Sequence, residues 1–165
     1  MSGPDARRVP SRRRHRLRRR PRGRRRWLFP VGINVGAGLH DNGAPTGAVF
    51  GGEASAALVA VAWKVPTFWR GGYVDGLYDF GTKRARFSIG PEAGFAFLGI
   101  DGGFVVQTGD GAVRPGFAVR PLLTFGIVSA YARFVDIPGD PVVDQTWELG
   151  ALVKWPIGLP PQAIH

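Results

Sequence analysis

A two-residue alternation of side-chain character runs through the second half of this chain and limits what it can fold into. Phe87, Ile89, Ala93, Phe95 and Phe97 share one parity, and Ser88, Gly90, Glu92, Gly94 and Ala96 share the other. Successive side chains of an extended strand point to opposite faces. The segment therefore reads as a strand with one greasy face and one face of small or charged residues. The pattern returns in Thr146 to Trp155, with Trp147, Leu149, Ala151, Val153 and Trp155 set against Thr146, Glu148, Gly150 and Lys154. A soluble strand hides its greasy face in a core. A strand of a membrane barrel turns that face to lipid and the small polar face to the lumen.

The same reading yields eight candidate strands. They are Leu28 to Leu39, Val49 to Trp63, Phe68 to Phe80, Arg84 to Leu98, Ile100 to Gln107, Val113 to Leu122, Thr124 to Val135 and Thr146 to Trp155. The Ala/Val-rich part of the second, Ala54 to Ala62, also suits a short helix. Turn signals separate the strands: His40-Asp41-Asn42-Gly43, Gly81-Thr82-Lys83, Gly99 and Thr108-Gly109-Asp110-Gly111. Asp-Gly supplies the positive φ of a primed hairpin turn. Ile137-Pro138-Gly139-Asp140-Pro141 opens a longer loop, and Pro156, Pro160 and Pro161 are expected to end regular structure. Short strands, frequent turns and no helical period predict an all-β fold. An even count of eight permits an antiparallel up-and-down barrel, which has no exposed edge.

The net charge of +10 divides sharply along the chain. Residues 1–26 hold 13 arginines and one acid, whereas residues 27–165 hold 9 Lys and Arg against 11 Asp and Glu. The expected organisation is a disordered basic tail over 1–26, a barrel domain over 27–156 and a Pro-rich extension over 157–165. The tail has three readings. Clustered arginine suits a nucleic-acid arm, because it releases counterions from phosphate. Arg25-Arg26 before Trp27-Leu28-Phe29 suits an export start, although Asn34 interrupts the apolar stretch that follows. The third reading is a gene-boundary artefact, with the true start elsewhere. There is no cysteine, which excludes a disulfide framework and a thiolate zinc site. No apolar run reaches the ~18 residues of a membrane-spanning helix, but a barrel strand needs only ~9–11.

On the polar parity stand Glu53, Asp75, Asp79, Glu92, Asp101, Arg114, Arg120, Arg133, Glu148 and Lys154. Six acids and four bases suit an ion-pair network filling a narrow lumen. An eight-stranded barrel has room for little more than its own side chains, so an open pore is not expected. Burying these charges is tolerable only if they pair or meet water. Glu92 sits among Gly90, Gly94 and Ala96, which leave space for a large partner such as Arg114 or Arg120. Asp75 and Asp79 share a face and could hold a cation together, but salt-bridging is the commoner fate of such acids. His15, His40 and His165 are scattered, so no metal site or cofactor is expected. Phe87-Ser88-Ile89-Gly90 lacks the first glycine of a nucleophile elbow. Gly32, Gly36 and Gly38 lack the lysine and serine of a phosphate loop. Trp27, Trp63, Trp69, Tyr78, Phe80, Trp147 and Trp155 cluster near strand ends, the depth of an aromatic girdle; the alternative is core aromatics at the edges of a sandwich.

Through Arg86–Phe97 and Trp147–Trp155 the body resembles a small bacterial outer-membrane β-barrel protein of the eight-stranded class. The resemblance spans roughly residues 28–155. It implies an outer-membrane location, a closed antiparallel barrel and no enzymatic activity. The expected partners are outer-membrane lipid and a surface partner met through the loops, with nucleic acid a partner only through a genuine tail; a monomer is expected. A soluble, lipocalin-like barrel holding an apolar ligand is the alternative, with the greasy face turned inward.

Overall fold

Eight antiparallel strands close on themselves in chain order. The structure is a computed structural model and describes residues 24–40, 47–62, 65–109, 111–140 and 144–158. The strands are β1 (Arg24–His40), β2 (Gly47–Ala62), β3 (Val65–Asp79), β4 (Arg84–Phe95), β5 (Leu98–Gly109), β6 (Ala112–Phe125), β7 (Val128–Asp136) and β8 (Gln145–Gly158). Closure comes from β1 against β8, in unbroken register from Leu28 opposite Gly158 to His40 opposite Thr146. Every strand thus has two neighbours, and no edge is left to pair with another chain. The Ala/Val-rich segment of β2 is a strand, paired with β3 and shifted in register once, between Ala60 and Val61.

The alternation sets the two faces. Phe87, Ile89 and Phe95 on β4 are 58%, 59% and 65% exposed, while Arg86, Ser88 and Glu92 are buried. On β8 Trp147, Leu149 and Val153 point out and Thr146, Glu148 and Leu152 point in. On β2 through β8 the parity turns only two charged residues outward, Arg70 and Asp136; the rest face the lumen. The greasy face therefore looks outward, as a membrane barrel requires. This orientation overturns the lipocalin-like alternative, in which the same residues would line a dry centre. Two small apolar clusters do lie inside, around Val105 and Val135 and around Leu122 and Leu152. The dominant inward side chains are nevertheless charged.

β4 and β5 have 12 residues each. At about 3.3 Å per residue and a tilt of about 40°, each reaches about 30 Å along the barrel axis, enough for a hydrocarbon core.

Prolines within the strands fall where a ladder stops. Pairing of β1 with β2 skips Phe29 and Pro30, that of β4 with β5 skips Gly90 and Pro91, and that of β6 with β7 skips Arg120 and Pro121. Register is unchanged across each gap. A proline has no N–H to give, so it is tolerated only where no ladder bond is owed. This explains why Pro156 does not end β8, contrary to expectation. It faces Pro30, and β7 has already run out at Val128 opposite Val153.

Three boundaries differ from the sequence reading. β1 begins at Arg24, so the last residues assigned to the tail pair with β2. The β4–β5 turn is Ala96-Phe97, with Ala96 at φ 52°, and Gly99 lies inside β5. The β6–β7 turn is Gly126-Ile127, with Gly126 at φ 66°. Backbone bonds from Ala96 to Thr67, Thr124 to Phe97 and Lys154 to Ile127 hold these tight turns to the neighbouring strands. Trp63, the Asp41-Asn42-Gly43 turn and residues 1–23 of the basic tail lie outside the described residues.

Candidate functional site

The lumen gathers the charged residues. Along the axis, Arg120 is fully buried and acts as a hub. Its Nη2 lies 2.6 Å from a Glu53 oxygen and 2.7 Å from an Asp101 oxygen, and its Nε donates to Asp101 at 2.8 Å. Its Nη1 is 3.8 Å from Asp75. The guanidinium carbon also sits 5.2 Å from the ring centre of Tyr73 and 5.4 Å from that of Tyr131, favourable cation–π placements.

The chain of ion pairs runs on in both directions. Toward the loops, Asp75 pairs with Arg133, whose other nitrogen is 3.8 Å from Glu148, and Glu148 pairs with Arg86. Toward the termini, Glu53 meets the Lys154 ammonium at 2.5 Å, and Lys154 meets Glu92 at 3.1 Å. One connected network thus joins Glu92, Lys154, Glu53, Arg120, Asp101, Asp75, Arg133, Glu148 and Arg86. Five carboxylates face four bases. Taking such charges out of water is costly, and mutual pairing is what offsets it.

A second centre lies where the β7–β8 loop folds back over the lumen. Asp140 pairs with Arg84, accepts from Gln107 at 2.9 Å and lies 3.5 Å from Arg114. Asp79 accepts backbone N–H bonds from Gly81 and Thr82 at 2.8 and 3.2 Å, tying down the β3–β4 turn.

All ten charges expected on the polar parity face the lumen. Two details differ. Glu92 pairs with Lys154, across the barrel, and not with Arg114 or Arg120. Asp75 pairs with Arg133, and Asp79 accepts the backbone N–H bonds of the β3–β4 turn. Among the described residues no cluster of three His, Asp or Glu stands at metal-ligand spacing.

Several lumen residues escaped the sequence reading. Arg84 and Arg86 share the parity of Ser88 and Glu92, and carrying the alternation one turn earlier would have found them. Tyr73 and Gln107 obey the same rule but carry no charge. Asp140 obeys no parity, because a loop delivers it.

The aromatics divide. Trp27, Tyr78, Phe80, Trp147 and Trp155 are exposed on the outer surface. Trp27 stacks with Phe29 near the termini, and Tyr78 meets Phe80 edge-on at the opposite end. Trp69 departs from the expected girdle. It points inward, and its ring lies over Gly94 and Gly99; a Cβ on either glycine would fall 2.3 or 2.7 Å from it. Parity explains this, since Trp69 shares the face of Tyr73 and Asp75. Tyr131 is seated in the same way over Gly150 and Gly36.

At the end that holds both termini, the lumen widens below Lys154 and Glu92 into a cavity of about 590 Å³. Leu28, Ala57, Val59, Trp69 and Leu122 wall it, and Phe97, Phe125 and Ile127 of the two tight turns rim it. Glu92 and Lys154 form its floor, which makes it a blind cup and not a channel.

No protein-family model and no curated protein sequence matches the chain. Among solved structures it is similar to Ail, the attachment invasion locus protein of Yersinia pestis. The crystal structure of Ail in complex with the heparin analogue sucrose octasulfate aligns over 79% of this chain and 99% of that one, at 14% identity and a TM-score of 0.33. A second crystal structure of Ail aligns over 78% and 97%, at 12% identity and a TM-score of 0.22. The outward greasy face and charged lumen, not this likeness, carry the functional reading.

Proposed function

We propose that this chain is a non-enzymatic barrel of a bacterial outer membrane, with a side-chain-filled lumen and a structural or surface-interaction role borne by its loop end. One observation carries the reading. A closed eight-stranded barrel presents an apolar band to its surroundings and confines the charged residues of β2 through β8, Arg70 and Asp136 apart, to an ion-paired interior. In water that band would be an exposed apolar surface far larger than soluble monomers tolerate. In lipid it is the stable arrangement, because every strand is paired and no backbone edge remains. The lumen carboxylates are spent on arginine and lysine partners, which supports a structural use over general acid–base work. Short turns and both termini share one end, and the eight-residue connection between β7 and β8 lies at the other. In membrane barrels the short turns face the periplasm and the longer loops face outward; we assign the ends accordingly.

The test is fractionation of cells expressing the chain, with gel migration of boiled and unboiled samples. The protein should pellet with outer membranes, resist extraction by salt, and shift its mobility on boiling as the barrel unfolds. Recovery as a monomer at high concentration in detergent-free buffer would overturn the reading.

A further inference from the structure

We propose that the cavity at the terminal end binds a monovalent organic ammonium: a molecule with an apolar body seated against Trp69 and Leu122 and a protonated amine directed at Glu92. Its volume, about 590 Å³, is that of a small-molecule site, and such sites join apolar walls to a few placed polar groups. Here the charged groups stand on the floor, while the lining hydroxyls of Thr124 and Ser129 bond to each other, so the floor decides the sign of the guest. An ammonium has three N–H bonds to give. Lys154 donates to Ser55 at 2.8 Å and to Glu92 at 3.1 Å, and its ammonium lies 2.5 Å from a Glu53 oxygen. Two carboxylates thus already compensate its charge, which leaves little attraction for an anionic guest.

Glu92 is differently placed. Lys154 engages its Oε2, which leaves acceptor capacity on the other oxygen, since a carboxylate has about four lone-pair sites. Among the described residues the connected network holds one more carboxylate than bases, and Glu92 is a terminal member of it. A cation entering the cup completes the balance, whereas an anion would add to the excess. The Trp69 ring, held in the lumen by Gly94 and Gly99, offers a π surface to the same cation. A neutral guest of equal size would gain the walls alone.

The experiment uses the full chain in lipid nanodiscs, with empty nanodiscs as the blank. Three probes share one naphthyl body and differ in the head: 2-(1-naphthyl)ethylamine, 1-naphthylacetate and 2-(1-naphthyl)ethanol. Equilibrium dialysis at neutral pH should give the amine at least tenfold tighter binding than either of the others. Glu92→Gln should remove that preference. Val59→Trp, which fills the cup from beside Trp69, its cross-strand neighbour, and leaves the ion pairs in place, should abolish specific binding of all three probes. Equal binding of amine and alcohol would overturn the proposal, and so would tighter binding of the carboxylate. Amine binding that survives Val59→Trp would do the same. Both variants are checked for the mobility shift on boiling. If Glu92→Gln does not fold, the ranking of probes on the parent protein and the effect of Val59→Trp still decide the matter.

Discussion

Arg120 shows why the lumen needs arginine in particular. One planar fork reaches Glu53 and Asp101 at once, with a third contact toward Asp75, while its faces meet Tyr73 and Tyr131. A lysine at the same place offers a single nitrogen and no flat face. Arg120→Met should lower stability by about 3–5 kcal/mol, the usual cost of leaving a buried carboxylate without its partner. The measurement is the urea midpoint of unfolding in lipid vesicles. Arg120→Lys should recover only part of the loss, because it cannot hold both Glu53 and Asp101. Gly94 carries a different constraint. A Cβ there would lie 2.3 Å from the Trp69 ring, so Gly94→Val should destabilise by about 1–3 kcal/mol through overpacking. In a Trp69→Ala background the same substitution should cost much less. Simple additivity of the two changes would show that ring and glycine are not coupled.

At the scale of the strand, side-chain parity was legible throughout and the turns only in part. The period of two follows from the pleat itself, so Phe87 and Ile89 could be set apart from Ser88 and Glu92 without coordinates. The sign of the outward face was legible too, because paired acids and bases among glycines suit a narrow lumen and not an exterior. Turn positions were legible only in part: Gly81-Thr82-Lys83 does join β3 to β4, whereas the β4–β5 turn is not at Gly99. Gly99 reads as a hinge, yet its missing side chain makes room for Trp69; the hinge is Ala96-Phe97, which carries no glycine. Trp69 stands near a strand end, where aromatic identity suggests a girdle, but its parity with Tyr73 and Asp75 turns it inward. Asp140 was illegible because a loop brings it into the lumen, and loops follow no period. The outward face makes a prediction of its own. Ile89 lies midway along β4, between Val74 and Phe104, whereas Phe80 lies in the β3–β4 turn. Ile89→Arg should destabilise the folded barrel in vesicles by about 2–4 kcal/mol, and Phe80→Arg by about 0–1 kcal/mol, following the depth dependence of charge on a lipid-facing surface. Equal effects at the two sites, read as shifts of the urea midpoint, would mean that this face does not meet hydrocarbon.

At the scale of the whole molecule, closure and filling are one problem with one solution. Eight strands enclose a lumen just wide enough for side chains. Closing the sheet removes its edges but leaves the inward face with nothing to pack against except itself. An apolar inward face would solve this with a dry core, but then the outward face would have to be polar, and the barrel would be soluble. Here the outward face is apolar, and the inward face is closed by charge. Two ion-paired layers block the axis: Glu92, Lys154, Glu53, Arg120 and Asp101 toward the termini, and Arg133, Glu148, Arg86 and the Asp140 centre toward the loops. Neither layer leaves a continuous aqueous path, since the carboxylates and guanidinium groups that form them are almost wholly shielded from solvent. The barrel should therefore insert into a planar bilayer without adding steps of ionic current, at either polarity and at molar salt. Salt is the demanding condition, because it screens exposed ion pairs strongly and buried ones weakly. Persistent current steps from the unmodified protein would mean that these layers part in the membrane; silence at all salt concentrations is the outcome that buried pairing requires.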